Sequence, residues 1–191
     1  MARLGRTLTD KRLSLASGDA PHADYAFYVG ARLSPNFFTT QPRIYLSRNG
    51  YDGRYEDIAL GFIDATQFQD TWGKAQHIAE RARGGFWGLK PGGVALHTRN
   101  VFQIQGHTLK HPVQAVYFYA EPDGKRKGKF KGGTNTAIQI AMFLGIPCYN
   151  LYEPSVKENV KKWLAEHESE VPYPDNLLEL IYSRKEKRPY F

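Results

Sequence analysis

A single cysteine, Cys148, occurs in 191 residues. No disulfide can therefore form within the chain, and a reducing compartment is mildly preferred. No apolar run approaches the length of a membrane span, and the N-terminus lacks the apolar core of a secretory signal. A cytoplasmic protein with no membrane partner is the expectation. Histidines number six, but they are scattered and none has zinc-finger spacing. His107 and His111 share a proline-flanked loop with no cysteine or clustered carboxylate beside them, so neither a metal nor a cofactor is expected. There is no Gly-x-Ser-x-Gly nucleophile elbow. Cys148 lies in an apolar run where an inert buried thiol is the commoner case. Repeats of solenoid period are missing too.

What is present fits one domain of ordinary size, with a hydrophobic share of 41% and an aromatic share of 14%, enough for a core without staples. The formal net charge is +7, which keeps nucleic acid among the possible partners. No nucleic-acid recognition motif accompanies it. The cations cluster in two places. Lys125, Arg126, Lys127, Lys129 and Lys131 crowd one loop, and Arg184, Lys185, Lys187 and Arg188 crowd the C-terminal tail. A solvated, frayed end is the favoured reading of the tail.

Residues 1–11 are polar and basic, with a short helix at most. Arg12 to Ala16 alternates as a short strand does. A small-residue loop from Ser17 to Asp24 follows, with a cap near Asp19 or Ala20 and Pro21 in a first helical turn; the helix continues through Tyr25–Ala31. Arg43–Leu46 reads as a strand, and Ile58–Ile63 as a strand or a short helix. Thr71–Arg83 and Val94–Gln105 have helical spacing. Between them lies a glycine-rich loop, Gly84–Gly93, carrying Phe86 and Trp87, with the composition of a lid or a subunit contact. Val113–Ala120 reads as a strand. Pro154–His167 is an amphipathic helix, and 176–182 a possible last helix.

The stretch that organises these elements is Lys131-Gly132-Gly133-Thr134-Asn135-Thr136, which turns from the strand before it into a helix and then into the apolar run ending at Leu151. Strand, glycine turn, helix, strand is a βαβ unit. Adjacent glycines allow close backbone approach, and the helix start offers unpaired N–H groups and a positive dipole end to an anion. A plain turn without a ligand is the alternative. The Ser17 loop is a second turn of the same kind, and in doubly wound folds such loops gather at one crevice.

Four stretches in this order, the Ser17–Asp24 loop, Ile44-Tyr45-Leu46-Ser47, Thr98-Arg99-Asn100 through Gly106, and Gly132 through Leu151, resemble the SLOG superfamily (SMF/DNA-processing-A and lonely-guy), most of all its small phage and bacterial members. The resemblance covers about residues 12–152. It implies an α/β, Rossmann-like three-layer fold with a mostly parallel central sheet flanked by helices, in one domain with a helical C-terminal extension over 153–191. It also implies a nucleotide ligand and an oligomer. The site residues it implies are Ser17, Gly18, Asp19, Asp24, Arg99, Asn100, Lys131, Gly132, Gly133, Thr134, Asn135 and Thr136, with Arg99 as a bidentate phosphate partner. Tyr45, Trp72, Phe86, Trp87 or Tyr152 could stack on a base, although most of them suit a core or rim.

The departures bear on function. Asp19 replaces a glycine of the family and puts negative charge where phosphate is expected, unless it points away. His22 stands where the family has its glycine before alanine. Gln139 occupies the place of the glutamate that serves the lonely-guy enzymes in cleaving a base from a nucleoside monophosphate. A carboxylate can stabilise an oxocarbenium-like centre or act as a general base, and a neutral amide can do neither. The leading expectation is therefore a protein that binds a phosphorylated nucleoside derivative, of ADP-ribose or cyclic-nucleotide type, without turnover. A phage-encoded sponge for an antiviral signal, acting in the host cytoplasm, is the extended form of it. The alternatives are N-glycosidic cleavage, with Asp19, Asp24 and Glu121 as candidate acids, and a DNA-associated role like that of the DNA-processing-A branch.

Overall fold

The computed structural model describes residues 1–183; the expected basic tail lies outside them. The protein is α/β, with helices on both faces of short parallel strands, in the manner of a Rossmann-like three-layer fold. One face carries α1 (Ala2–Asp10), α2 (Ala23–Arg32) and α6 (Pro154–His167). The other carries α3 (Gln69–Arg83), α4 (Pro91–Gln105) and α5 (Thr134–Phe143). A short α7 (Leu177–Tyr182) follows. No helix among the described residues is long and apolar enough to cross a membrane.

The strands are β1 (Ala16–Ser17), β2 (Arg43–Leu46), β3 (Phe62–Asp64), β4 (Val116–Phe118) and β5 (Cys148–Asn150). They form two ladders rather than one sheet: β1-β2-β3 and β4-β5, each parallel throughout. β4 is shorter than the expected Val113–Ala120 strand, and β1 begins only at the last residue of the expected Arg12–Ala16 strand, because Lys11 and Arg12, the latter at φ 62°, form the turn that leaves α1. The segment with two readings resolves into both of them, a 3-10 turn at Ile58–Leu60 followed by β3.

The first eleven residues are the largest departure from expectation. They form a helix whose Leu4 and Thr7 are fully buried. The pattern conceals this because α1 packs through small residues. A β-carbon on Gly5 would lie 2.5 Å from the Phe27 carbonyl oxygen, and one on Gly30 would overlap that of Ala2. The two glycines therefore let α1 and α2 cross backbone against backbone. The buried hydroxyls of Thr7 and Thr9 are satisfied within the helix, donating to the carbonyls of Arg3 and Gly5 at 2.9 Å each, the usual i−4 arrangement. Arg6, also buried, donates to the Val171 carbonyl at 3.0 Å and lies over the Tyr173 ring, while Arg3 pairs with Glu168. The segment after α6 is thereby fastened to the outside of α1.

The principal core lies between the β2 strand and the α3–α4–α5 layer, with Tyr45, Ala75, Ala79, Val101, Phe102, Ile140 and Ala141 at its centre. Tyr45 is fully buried and Trp72 stacks on Phe102, so neither is a base-stacking platform.

Candidate functional site

The site is built around α4. Pro91 opens this helix, its missing N–H costing nothing there, and Gly106 ends it. Residues Thr98 to Phe102 are all buried, so a polar side chain among them must find a partner inside. Thr98 donates to the Val94 carbonyl at 2.9 Å. Asn100 donates through Nδ2 to the Gly133 carbonyl at 3.1 Å, tying α4 to the turn that opens α5. Arg99 is 6% exposed and finds less. Its one hydrogen bond to the described residues runs from Nη1 to the Tyr45 carbonyl at 3.5 Å, the outer limit of a hydrogen bond. Its Nε has no partner, and among the described residues no carboxylate lies within ion-pair distance of it. Burial pulls Arg99 below its ordinary pKa, while Asp24, Tyr51 and Asp19 act in the opposite direction through space. A guanidinium remains protonated under such pressure, so the site holds a buried, incompletely compensated positive charge.

Arg99 opens onto a cavity of about 830 Å³. Ser17, Gly18, Asp24, Asn100, Gly133 and Thr134 line the same space. The two glycine-bearing turns and α4 thus border one cavity. Gly132, at φ 83°, brings the chain into α5, and Gly133 and Thr134 are exposed at its N-terminus. The N–H groups of Gly133 and Thr134 have no acceptor among the described residues, so the positive end of the helix is open.

Asp19, Lys131, Asn135 and Thr136 are engaged elsewhere, and Asp24 is occupied within its own loop. Asp19, in a left-handed conformation at φ 55°, pairs with Arg54 at 2.9 Å and does not line the cavity. The helix cap falls at His22, not at Asp19 or Ala20, and no side chain closes it. Asp24 accepts the N–H groups of Gly18 at 3.2 Å and Ala20 at 3.3 Å, so it shapes the first loop by occupying the donors that a phosphate would use there. Lys131 pairs with Glu121 at 2.7 Å on the surface. Asn135 accepts the Phe130 N–H at 3.0 Å. Thr136 is buried against His97, with Oγ1 2.8 Å from Nδ1. Gln139 accepts from Lys129 Nζ at 2.8 Å and donates to the Gly128 carbonyl at 2.9 Å. The residue in the glutamate's position therefore anchors the basic loop and is not among the cavity lining.

His97, Gln103, Tyr51 and Arg43 line the cavity without having been singled out by sequence. Burial, then Arg83 and Arg99, lower the His97 pKa and keep the ring neutral. Phe86 lies beside it at 6.2 Å between ring centroids, whereas Trp87 is 88% exposed. Arg43, Arg99 and Asp24 are the charged members of the lining, so the wall is net positive.

Compared with known protein families, with curated proteins and with solved structures, the chain matches none.

Proposed function

We propose that this protein binds a phosphorylated nucleoside derivative, of ADP-ribose or cyclic-nucleotide type, without turning it over. The observation that carries this reading is Arg99. A buried guanidinium without a carboxylate partner is costly, and it faces the cavity that the open N-terminus of α5 also borders. An anion seated between them would compensate both and accept charge-assisted hydrogen bonds from both. The cavity also falls within the usual volume range for small-molecule sites. Sequestration of a signalling nucleotide, as by a phage-encoded sponge, is the biological form of this proposal.

The absence of turnover is inferred from Gln139, a neutral amide held by the Gly128–Lys129 loop. Asp24 is the carboxylate on the cavity wall among the described residues, and it is occupied by two backbone N–H groups. Isothermal titration with ADP-ribose derivatives and cyclic nucleotides tests binding, and no heat from any of them overturns the proposal. Released base after incubation with nucleoside monophosphates would convert the reading to an enzymatic one.

A further inference from the structure

The cavity does not stop at the anion end. It continues through the interval between β1 and β4, where the two ladders would have to meet to make one sheet. The chain beside each of the two strands touches α4. Val113, before β4, donates its N–H to the Ile104 carbonyl near the end of that helix, and Gly18, just after β1, lies against Arg99 nearer its middle.

Strand alternation decides which backbone groups face the interval. The Leu15 carbonyl accepts the Arg43 N–H, so Leu15 and Ser17 turn their polar groups toward β2 and Ala16 turns its own away. Val116 donates to the Pro147 carbonyl and Phe118 accepts from Leu151, so these two face β5 and Tyr117 faces the interval. No hydrogen bond from Ala16 or Tyr117 on that side is made to the described residues. Both residues are half-buried, and unpaired donors and acceptors lining a cavity offer themselves to a ligand.

The walls above and below this plane differ in character. Leu8 and Phe27 cover it from the α1–α2 layer, and Leu96 and Ile104 from the α4 side. Polar groups on two opposite edges, with apolar groups over both faces, complement a flat heterocycle that carries its donors and acceptors on its rim.

We propose that the base of the bound nucleotide lies in the plane of the sheet between β1 and β4, hydrogen-bonded at its edges by the Ala16 and Tyr117 backbone. This rests on the anion site at Arg99 and adds to it the part of the ligand that is recognised. Strand edges supply both a donor and an acceptor, so the interval suits a base with both on its rim and gives no purchase to a bare sugar phosphate.

The test uses the full chain with ribose 5-phosphate and with AMP, GMP, CMP and UMP as probes. Titration should show at least one nucleotide binding about ten- to a hundredfold more tightly than ribose 5-phosphate, the gain expected of two or so net hydrogen bonds with added apolar contact. Amide exchange at Ala16 and Tyr117 should slow with that nucleotide and not with ribose 5-phosphate. Leu96→Trp should bring nucleotide affinity down toward that of ribose 5-phosphate, with an unchanged circular-dichroism spectrum reporting that the variant is folded. Equal affinities, or exchange at both amides unchanged by the tighter nucleotide, overturn the inference and leave the anion site standing. No binding of any of the five probes overturns the inference, and joined to no heat from the ADP-ribose derivatives and cyclic nucleotides it overturns the anion site as well.

Discussion

Arg99 lies on Gly18. A β-carbon at position 18 would overlap Nη1 of the guanidinium and approach Nε2 of Gln103 to 2.8 Å. The glycine of the first turn thus makes room for an arginine of another element, a different use from the close ligand approach its sequence context suggests.

Gly18→Ala should therefore displace the Arg99 head group from the cavity wall. Nucleotide affinity should fall by about ten- to a hundredfold, the size of a lost charge-assisted hydrogen bond, with a smaller change in melting temperature. Titration of the variant beside Arg99→Ala checks this. Full affinity in Gly18→Ala would mean that Arg99 does not hold the ligand.

Gln139→Glu restores the carboxylate of the phosphoribohydrolase pattern. The new carboxylate should keep Lys129 and lose the bond to the Gly128 carbonyl, since a carboxylate has no proton to donate. No base should be released from nucleoside monophosphates, because the side chain stays outside the cavity. Chromatography of an overnight incubation decides it, and appearance of free base would contradict the geometry.

The pH dependence of stability should carry a His97 component. The folded protein holds this histidine below its ordinary value of 6.5, so between the two values the unfolded chain binds more protons. The contribution is fully present above the unfolded value and is lost as pH falls from there through the folded value. Melting temperature should drop on acidification from neutrality, and His97→Gln should flatten that slope. Equal slopes in both proteins would assign the acid sensitivity to other groups.

Arg54→Met should destabilise, by about 1–3 kcal/mol, because it removes a charge-assisted hydrogen bond to the almost fully buried Asp19 carboxylate. Asp19→Asn in the same background should recover part of the loss. Urea unfolding of the single and double variants measures the coupling, and a loss below ~0.5 kcal/mol in the single variant would show the pair to be worth no more than an exposed one.

Gly30→Ala should cost about 1–3 kcal/mol by forcing α1 off α2. A neutral result by the same unfolding measurement would require the helices to separate freely.

The βαβ unit from β4 through β5 was legible in the sequence because its signals are local: glycines at a turn, then helical spacing, then an apolar run. Within it, the roles of Thr134 and Thr136 were not separable. Two residues rotate a helix by about 200°, so one threonine reaches the cavity rim while the other is buried on His97. α1 was hidden because Gly5, Arg6, Thr7 and Thr9 share its buried face with Leu4, so no leucine stripe marks it. His97 and Gln103 gave no local signal, since nothing in a helix's own residues marks which turn will border a cavity. The break between β1 and β4 was beyond reach for the same reason: strand pairing is decided by residues about a hundred positions apart.

That break has a mechanical meaning. Hydrogen bonds give each ladder its own stiffness, but across the seam the two halves are joined by helix packing and by a few hydrogen bonds from α4, among them Asn100 to the Gly133 carbonyl and His97 with Thr136. Shear along the seam meets these few bonds and no ladder between β1 and β4, so the halves have a softer direction than an uninterrupted five-stranded sheet would allow.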